Sequence, residues 1–285
     1  MNYGISIDRR HDYTVSYPKD EHGEAIDAVI EANITGVIGC LDKSGVMIAW
    51  AKREVALAAV RNVHIVTQMV EQQPVTEGAL AYHPAVQYLK GIPGYQRDKA
   101  ADIGTRVHAV GEALGKGQKP KVDEDIMPMA VAYYRGFIER YRPRFHPDYV
   151  EFKVASIEHD YAGTMDMACR IGDEVWLLDI KTSTKEIGLG ERDFPYSETA
   201  LQLAAGRFAE FVGKPGDPKR YPIPPATRFG VVAVTAEGCE LVEYRVTPQD
   251  WETFLALRTA WGWLKDRKSN VKVGIPEAPV KEEAA

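Results

Sequence analysis

The stretch Tyr161–Ser183, YAGTMDMACRIGDEVWLLDIKTS, decides the reading of the fold. Thr164–Ile171 alternates in character, whereas Val175–Ile180 (VWLLDI) is nearly all apolar, as a central strand buried on both faces should be. Gly172 and Asp173 between them are two-residue turn chemistry, so an antiparallel hairpin with Ile171 opposite Glu174 is expected. Counting outward in that register sets Asp166 directly opposite Asp179. Directly opposed side chains have Cβ atoms about 4.5–5.5 Å apart, and like charges there repel, so the pair calls for a compensating cation. Period two puts Lys181 on the face of Asp179 and turns Leu178 and Ile180 to the other face. Hard carboxylate ligands suit Mg²⁺ or Mn²⁺, and an ammonium beside such a cation can orient a water or offset developing charge, which is machinery for phosphodiester hydrolysis. The two aspartates equally fit solvated strand positions or partners of lysine and arginine.

Outward from the hairpin, Val150–Ile157 (VEFKVASI) alternates and supplies a preceding strand. Before it, Asp98–Leu114 reads as a helix with Ile103, Val107, Val110 and Leu114 on one stripe and Gly104, His108 and Glu112 beside it, and Ile126–Tyr141 as a second helix stopped at Pro143. After the hairpin, Ser197 is placed to cap a helix that runs to Val212 and ends at Gly213, followed by strands at Phe229–Thr235 and Cys239–Val246 and a helix at Pro248–Lys265. The first hundred residues read mainly as helix, including Ser44–Asn62 and a short piece at Pro84–Leu89. The expected organisation is a helical N-terminal part (residues 1–97), an α/β core (98–267) interrupted by a Gly/Lys/Pro linker at Gly115–Val122, and an unstructured tail (268–285).

The chain has 285 residues, 45% of them hydrophobic, with 35 Lys+Arg against 41 Asp+Glu and a net charge of -6. These are globular values that exclude fibrous and wholly disordered classes and allow a substantial core without staples. Cys40, Cys169 and Cys239 are scattered and form no metal-binding or disulfide framework, which fits a reducing compartment. No apolar run is long enough for a membrane span, and the start reaches charge too soon for a signal peptide, so a soluble cytoplasmic protein with no membrane partner is expected. The acidic balance leaves room for nucleic acid held in a local basic groove.

The set GTMD (163–166), LLDIKT (177–182) and a following helix bearing Gln202 resembles the PD-(D/E)XK nuclease superfamily, in particular its RecB-like exonuclease branch with its bacteriophage members. GTRVHAVGEAL (104–114) resembles that branch's histidine-bearing helix, and ITGVIGCLDKSGVMIAWA (34–51) is similar to the N-terminal segment of the phage members, so the resemblance spans most of residues 34–212. It implies a restriction-endonuclease-like mixed β-sheet core flanked by helices. It also implies a Mg²⁺- or Mn²⁺-dependent DNA exonuclease acting in recombination, repair or phage DNA processing, in the host cytoplasm if phage-encoded. The resemblance assigns His108, Asp166 and Asp179 to the metal, Lys181 to catalysis, and Gln202 to support of the active site or substrate backbone. Glu151 and Glu112 are further acidic candidates, each equally a solvated residue. The chain departs from the family where Gly206 stands at the position of a usual tyrosine, leaving that contact absent or supplied elsewhere, as by Tyr196. Relatives with four cysteines bind an iron–sulfur cluster; three scattered cysteines cannot, and none is expected.

For DNA contact, Arg135, Arg140, Arg142 and Arg144 interleave with Tyr133, Tyr134, Phe137 and Tyr141, a pattern that fits phosphate contact and stacking but is more simply an amphipathic helix with buried aromatics. Lys116, Lys119 and Lys121 in the linker are better placed for loose phosphate contact, and Trp251, Trp261 and Trp263 read as core. A recombination-protein partner or a homo-oligomer is compatible with the sequence. Two other functions remain open at this level: a catalytically weak DNA-binding module of the same fold, and a metal-dependent phosphohydrolase of small phosphate esters.

Overall fold

The Gly172–Asp173 turn forms in the expected register, with Gly172 at φ 59° and pairs running from Ile171–Glu174 to Met167–Leu178. Around it, the computed structural model of the protein describes residues 3–9, 11–19, 24–76, 78–189 and 194–270. In chain order these are strands β1 (Gly4–Ile7), β2 (Tyr13–Tyr17) and β3 (Ile26–Ile30), then helices α1 (Ile34–Ile38), α2 (Ser44–Arg61), α3 (Val63–Gln72) and α4 (Pro84–Gly115). Helix α5 (Met127–Tyr133) continues as a π-helical turn over Tyr134–Glu139. There follow β4 (Arg144–Ser156), β5 (Tyr161–Ile171), β6 (Glu174–Thr182), α6 (Thr199–Arg207), β7 (Phe211–Gly213), β8 (Arg220–Tyr221), β9 (Arg228–Val234), β10 (Cys239–Tyr244) and α7 (Pro248–Asn270).

The main sheet is mixed and seven-stranded, in the order β10-β9-β6-β5-β4-β7-β8; β6 and β9 run parallel, and the other neighbours are antiparallel. The β6–β9 pair is the crossover through α6, and it buries β6 on both faces, which is why VWLLDI carries no polar face until Asp179. Leu178 and Ile180 enter a core with Val107 and Val110 of α4 and Tyr133 of α5, while Leu177 enters a second core with Leu201 and Leu203 of α6 and Phe254 of α7. The result is an α/β/α sandwich, with α4 and α5 on one face and α1, α6 and α7 on the other. No helix among the described residues is long and apolar enough to cross a membrane.

Four sequence expectations are corrected. The first hundred residues are mainly helical from Ile34 on, but their first part is not: β1, β2 and β3 form an antiparallel sheet whose Ile5, Val15 and Ile30 pack on Ala155, Ala162 and Phe211 of the main sheet. Strands of four or five residues are too short to show a period, and these acquire an apolar surround only by docking. The helical pieces at 84–89 and 98–114 are one helix, α4, which carries Pro93 inside it and runs unbroken through residues 97 and 98. Helix α6 is shorter than read: Ser197 lies outside it with Glu198 at the cap and no side-chain capping bond, and Phe211–Gly213 pairs with β4 instead of continuing the helix. Helix α7 runs to Asn270, into the segment read as tail, and the remainder of that segment (271–285) lies outside the described residues.

Among the tryptophans, Trp251 stacks on Phe254 and Trp261 packs beside the same core, whereas Trp263 is exposed. Tyr133 and Phe137 of the arginine-rich stretch are fully buried, and Arg140 pairs with Glu240, as an amphipathic helix requires.

Helix α4 reaches the sheet through its glycines. A Cβ on Gly111 would lie 2.5 Å from Ile180 Cδ1, and one on Gly115 would lie 3.0 Å from Val150 Cγ2. A side chain at either position would have to displace Ile180 Cδ1 or press on Val150. Gly111→Val is expected to lower stability by about 1–3 kcal/mol, the usual cost of overpacking, measured by urea unfolding, and to lift His108 from the sheet.

Candidate active site

Besides a register shift between Phe145 and Val150, the β4–β5 pair loses its regular facing at Glu151. In the β4–β5 register Glu151 falls opposite Asp166, between the pairs Val150–Met167 and Phe152–Met165. Glu151 has φ 52°, a left-handed conformation that a non-glycine residue adopts at a cost of about 1 kcal/mol or more. The facing of both strands flips there. Val150 packs beneath Gly115 of α4 and Phe152 into the α6-side core, although both are even-numbered; Met167 joins the α4-side core and Met165 the other. The β5–β6 ladder also ends here, at Met167–Leu178, and the Ile180 N–H donates to Asp166 Oδ2 at 2.6 Å. A side-chain carboxylate thus takes a ladder position, and the strands part to leave a cleft.

Helix α4 lays His108 against this break, its Nδ1 3.4 Å from Asp166 Oδ2. Each of His108, Glu151 and Asp166 offers one ligand atom, and these lie within 4.8 Å of one another. They line an open cavity of about 500 Å³ with Gly104, Glu112 and Thr164. Glu112 is committed to Lys116 at 2.6 Å.

Asp179 continues the face of Leu177, as period two requires, and meets α6. Its Oδ1 accepts from Lys181 Nζ at 2.8 Å and from Gln202 Nε2 at 2.7 Å, while Lys181 Nζ also donates to Gln202 Oε1 at 3.2 Å. Its Oδ2 lies 2.7 Å from Lys181 Nζ as an ion pair but makes no hydrogen bond of its own, although Asp179 is only 1% exposed. The structure therefore joins the five expected residues as two adjoining groups: His108 with Asp166, and Asp179 with Lys181 and Gln202. Glu151, an uncertain candidate in the sequence, completes the first group.

The charges of the two groups are coupled. Burial alone would lower His108, but the hydrogen bond and charge of Asp166 and the charge of Asp179 hold it above its ordinary value. Burial would raise Asp166, yet His108, Lys181 and the Ile180 N–H hold it below the carboxylate range. For Asp179 burial prevails, aided by the Asp166 charge, and pushes it up to about 6 against the pull of Lys181. Lys181 is raised because the Asp179 and Asp166 charges overcome its burial. Glu151 is pushed up to about 7 by burial and by the Asp166 charge.

Two carboxylates and an imidazole converging from α4, β4 and β5 form a donor set that fits a hard or borderline divalent cation, and the unsatisfied Asp179 Oδ2 lies in the adjoining group. No family model and no curated protein matches this chain.

Residues outside the sequence reading also shape the site. His11, Tyr13, Asn33 and Thr35 line a cavity of about 460 Å³ that shares Thr164 with the His108 cavity and ends on Gln202. The Tyr13 hydroxyl bonds the Thr164 hydroxyl at 3.0 Å. In the sequence only the 34–51 segment, which contains Thr35, pointed toward this wall; His11, Tyr13 and Asn33 carried no signal, because the first sheet was not legible there. Gly206 does not face the site: it is buried, and a Cβ there would lie 2.5 Å from Met165 Sδ. No residue of the arginine-rich stretch lines these cavities.

A carboxyl whose folded pKa is raised adds stability at low pH and loses it as the pH rises through the folded value. For Glu151, raised from 4.5 to about 7, the loss spans that window. Glu151→Gln is expected to stabilise the metal-free protein at pH 8 by about 1–2 kcal/mol, after discounting for solvent screening. The gain should disappear by about pH 4.5, where the native carboxyl is neutral in both states. Urea unfolding with EDTA at the two pH values measures it.

Proposed function

We propose that the protein is a metal-dependent deoxyribonuclease that degrades DNA from its ends, on a restriction-endonuclease-like fold. The observation that carries this reading is the adjacency of a divalent-cation donor set, His108–Glu151–Asp166, to an ammonium held by a buried carboxylate and an amide, Lys181–Asp179–Gln202. The order two helices, three antiparallel strands, helix and then, after the short β7 and β8, a strand parallel to β6, seen from α4 to β9, supports it, as does the resemblance of the motifs on those elements. Preference for ends rests on the resemblance alone.

Mg²⁺ or Mn²⁺ bound to His108, Asp166 and Glu151, with Asp179 beside them, would polarise a phosphoryl oxygen and make bound water more acidic. The chain's own groups do the rest. Asp166 is fixed by the Ile180 N–H, so one carboxylate oxygen is immobilised before any substrate arrives. Lys181, raised above its ordinary value, stays protonated at neutral pH and acts as a donor that orients the attacking water and offsets phosphoryl charge, rather than as a base. Gln202 bonds both Asp179 and Lys181 and thereby fixes where that ammonium points. An imidazole among the ligands favours Mn²⁺ over Mg²⁺ in affinity.

Purified protein is expected to degrade end-labelled linear DNA with Mn²⁺ or Mg²⁺, to stop with EDTA, and to leave closed circles intact. Asp166→Ala, Asp179→Ala and Lys181→Ala should each reduce the rate by about 10²–10³-fold or more, the loss typical of a preorganised electrostatic group. No cleavage by folded protein with either metal would sink the enzyme reading. Turnover of mononucleotides in preference to DNA would replace it with a small-ester phosphohydrolase, and cut circles would make it an endonuclease.

A further inference from the structure

Lys181 and Gln202 also line a third depression, of about 330 Å³, within the range of about 300–1,000 Å³ typical of small-molecule sites. Lys181, Thr182 and Gln202 line it, Ile38 and Gly39 of α1 form one wall, and Phe194 and Tyr196 the other. It is a largely apolar slot with an ammonium and an amide at one end.

Tyr196 is unusual in being both exposed and fixed. It is 40% exposed, so burial does not explain its ring. Yet the Tyr244 hydroxyl bonds the Pro195 and Tyr196 carbonyls at 3.0 and 2.9 Å, which pins the backbone to β10. The Phe194 ring meets the Tyr196 ring edge to face at 6.3 Å, and Lys185 Nζ donates to the Tyr196 hydroxyl at 2.8 Å. An aromatic ring immobilised at the mouth of a polar-ended slot has lost its conformational entropy in advance, which is what a stacking surface for a planar ligand needs. Lys43 pairs with Glu198 at 2.6 Å and so neutralises the carboxylate that, among the described lining residues, would repel a phosphate there.

We propose, resting on the nuclease reading, that this slot holds the nucleoside next to the scissile phosphate of a DNA strand, with its base stacked on Tyr196. Its phosphate then lies at the Lys181–Gln202 end, between the slot and the cation ligands. Tyr196 acts in binding and Lys43 shields the entry. The base is read by its face rather than its edge, so the slot accepts any of the four bases.

The probe is a single-stranded oligodeoxynucleotide carrying 2-aminopurine at one position at a time, bound to the full chain in EDTA so that no cleavage occurs. Stacking should quench the fluorescence at the terminal position. Tyr196→Leu should abolish the quench and raise KM for cleavage about tenfold, in line with the loss of one stacked base, with kcat within about twofold. Tyr196→Phe, which keeps the ring face and loses only the Lys185 bond, should retain both. Lys43→Ala, which does not depend on the folding of the Tyr196 variant, should raise KM more at low salt than at high salt by exposing Glu198. The slot is overturned if the native protein cleaves DNA while Tyr196→Leu or Lys43→Ala leaves quench and KM unchanged, an outcome that spares the nuclease reading. If the native protein neither binds nor cleaves DNA, both fall together.

Discussion

In a regular β-ladder the opposed residues Glu151 and Asp166 would share one face of the sheet and the pairs Val150–Met167 and Phe152–Met165 on either side of them would share the other. Here those two flanking pairs face opposite sides of the sheet, so the alternation breaks at Glu151 and Asp166. With Glu151 in the left-handed region and the β5–β6 ladder ended at Met167, the strands rotate and part, and both carboxylates turn toward His108. The β5–β6 backbone does not go unsatisfied, since Asp166 accepts the Ile180 N–H in place of a carbonyl. The same residue therefore ends the ladder and founds the site.

This arrangement holds unfavourable charges in place by the stability of what surrounds it. Glu151 and Asp179 are pushed toward neutrality by burial and by the Asp166 charge, so the folded chain resists full ionisation of this cluster. His108 and Lys181 offset part of that repulsion from either side. The two cores under α4 and α6 supply the rest, with Gly111 and Gly115 letting α4 sit low enough for His108 to reach the cleft. Preorganisation of the site and local instability are the same physical fact seen from two directions.

Much of the core was legible in the sequence because its signals are local. The Gly172–Asp173 turn fixed the hairpin register, and the continuous run VWLLDI marked a strand covered on both faces. The stripe Val107–Val110 placed His108 beside the apolar face of its helix, and Gln202 could be put on the helix that follows β6. What failed was equally physical. The β1–β3 sheet has strands too short to show periodicity, and Phe211–Gly213 left helix for strand because β4 offered it an edge to pair with. The pieces read at 84–89 and 98–114 are one helix, because α4 carries Pro93 between them without breaking.

Sequence alone determined the hairpin and the face shared by Asp179 and Lys181, since turn type and period two act over a few residues. Only the tertiary structure decided how they group. Glu151 joined His108 and Asp166, and Asp179 turned to Lys181 and Gln202, because a backbone rotation at one pair of opposed residues reassigns every face beyond it. That rotation depends on α4, β5 and β6 packing together, and no stretch of the chain carries it by itself.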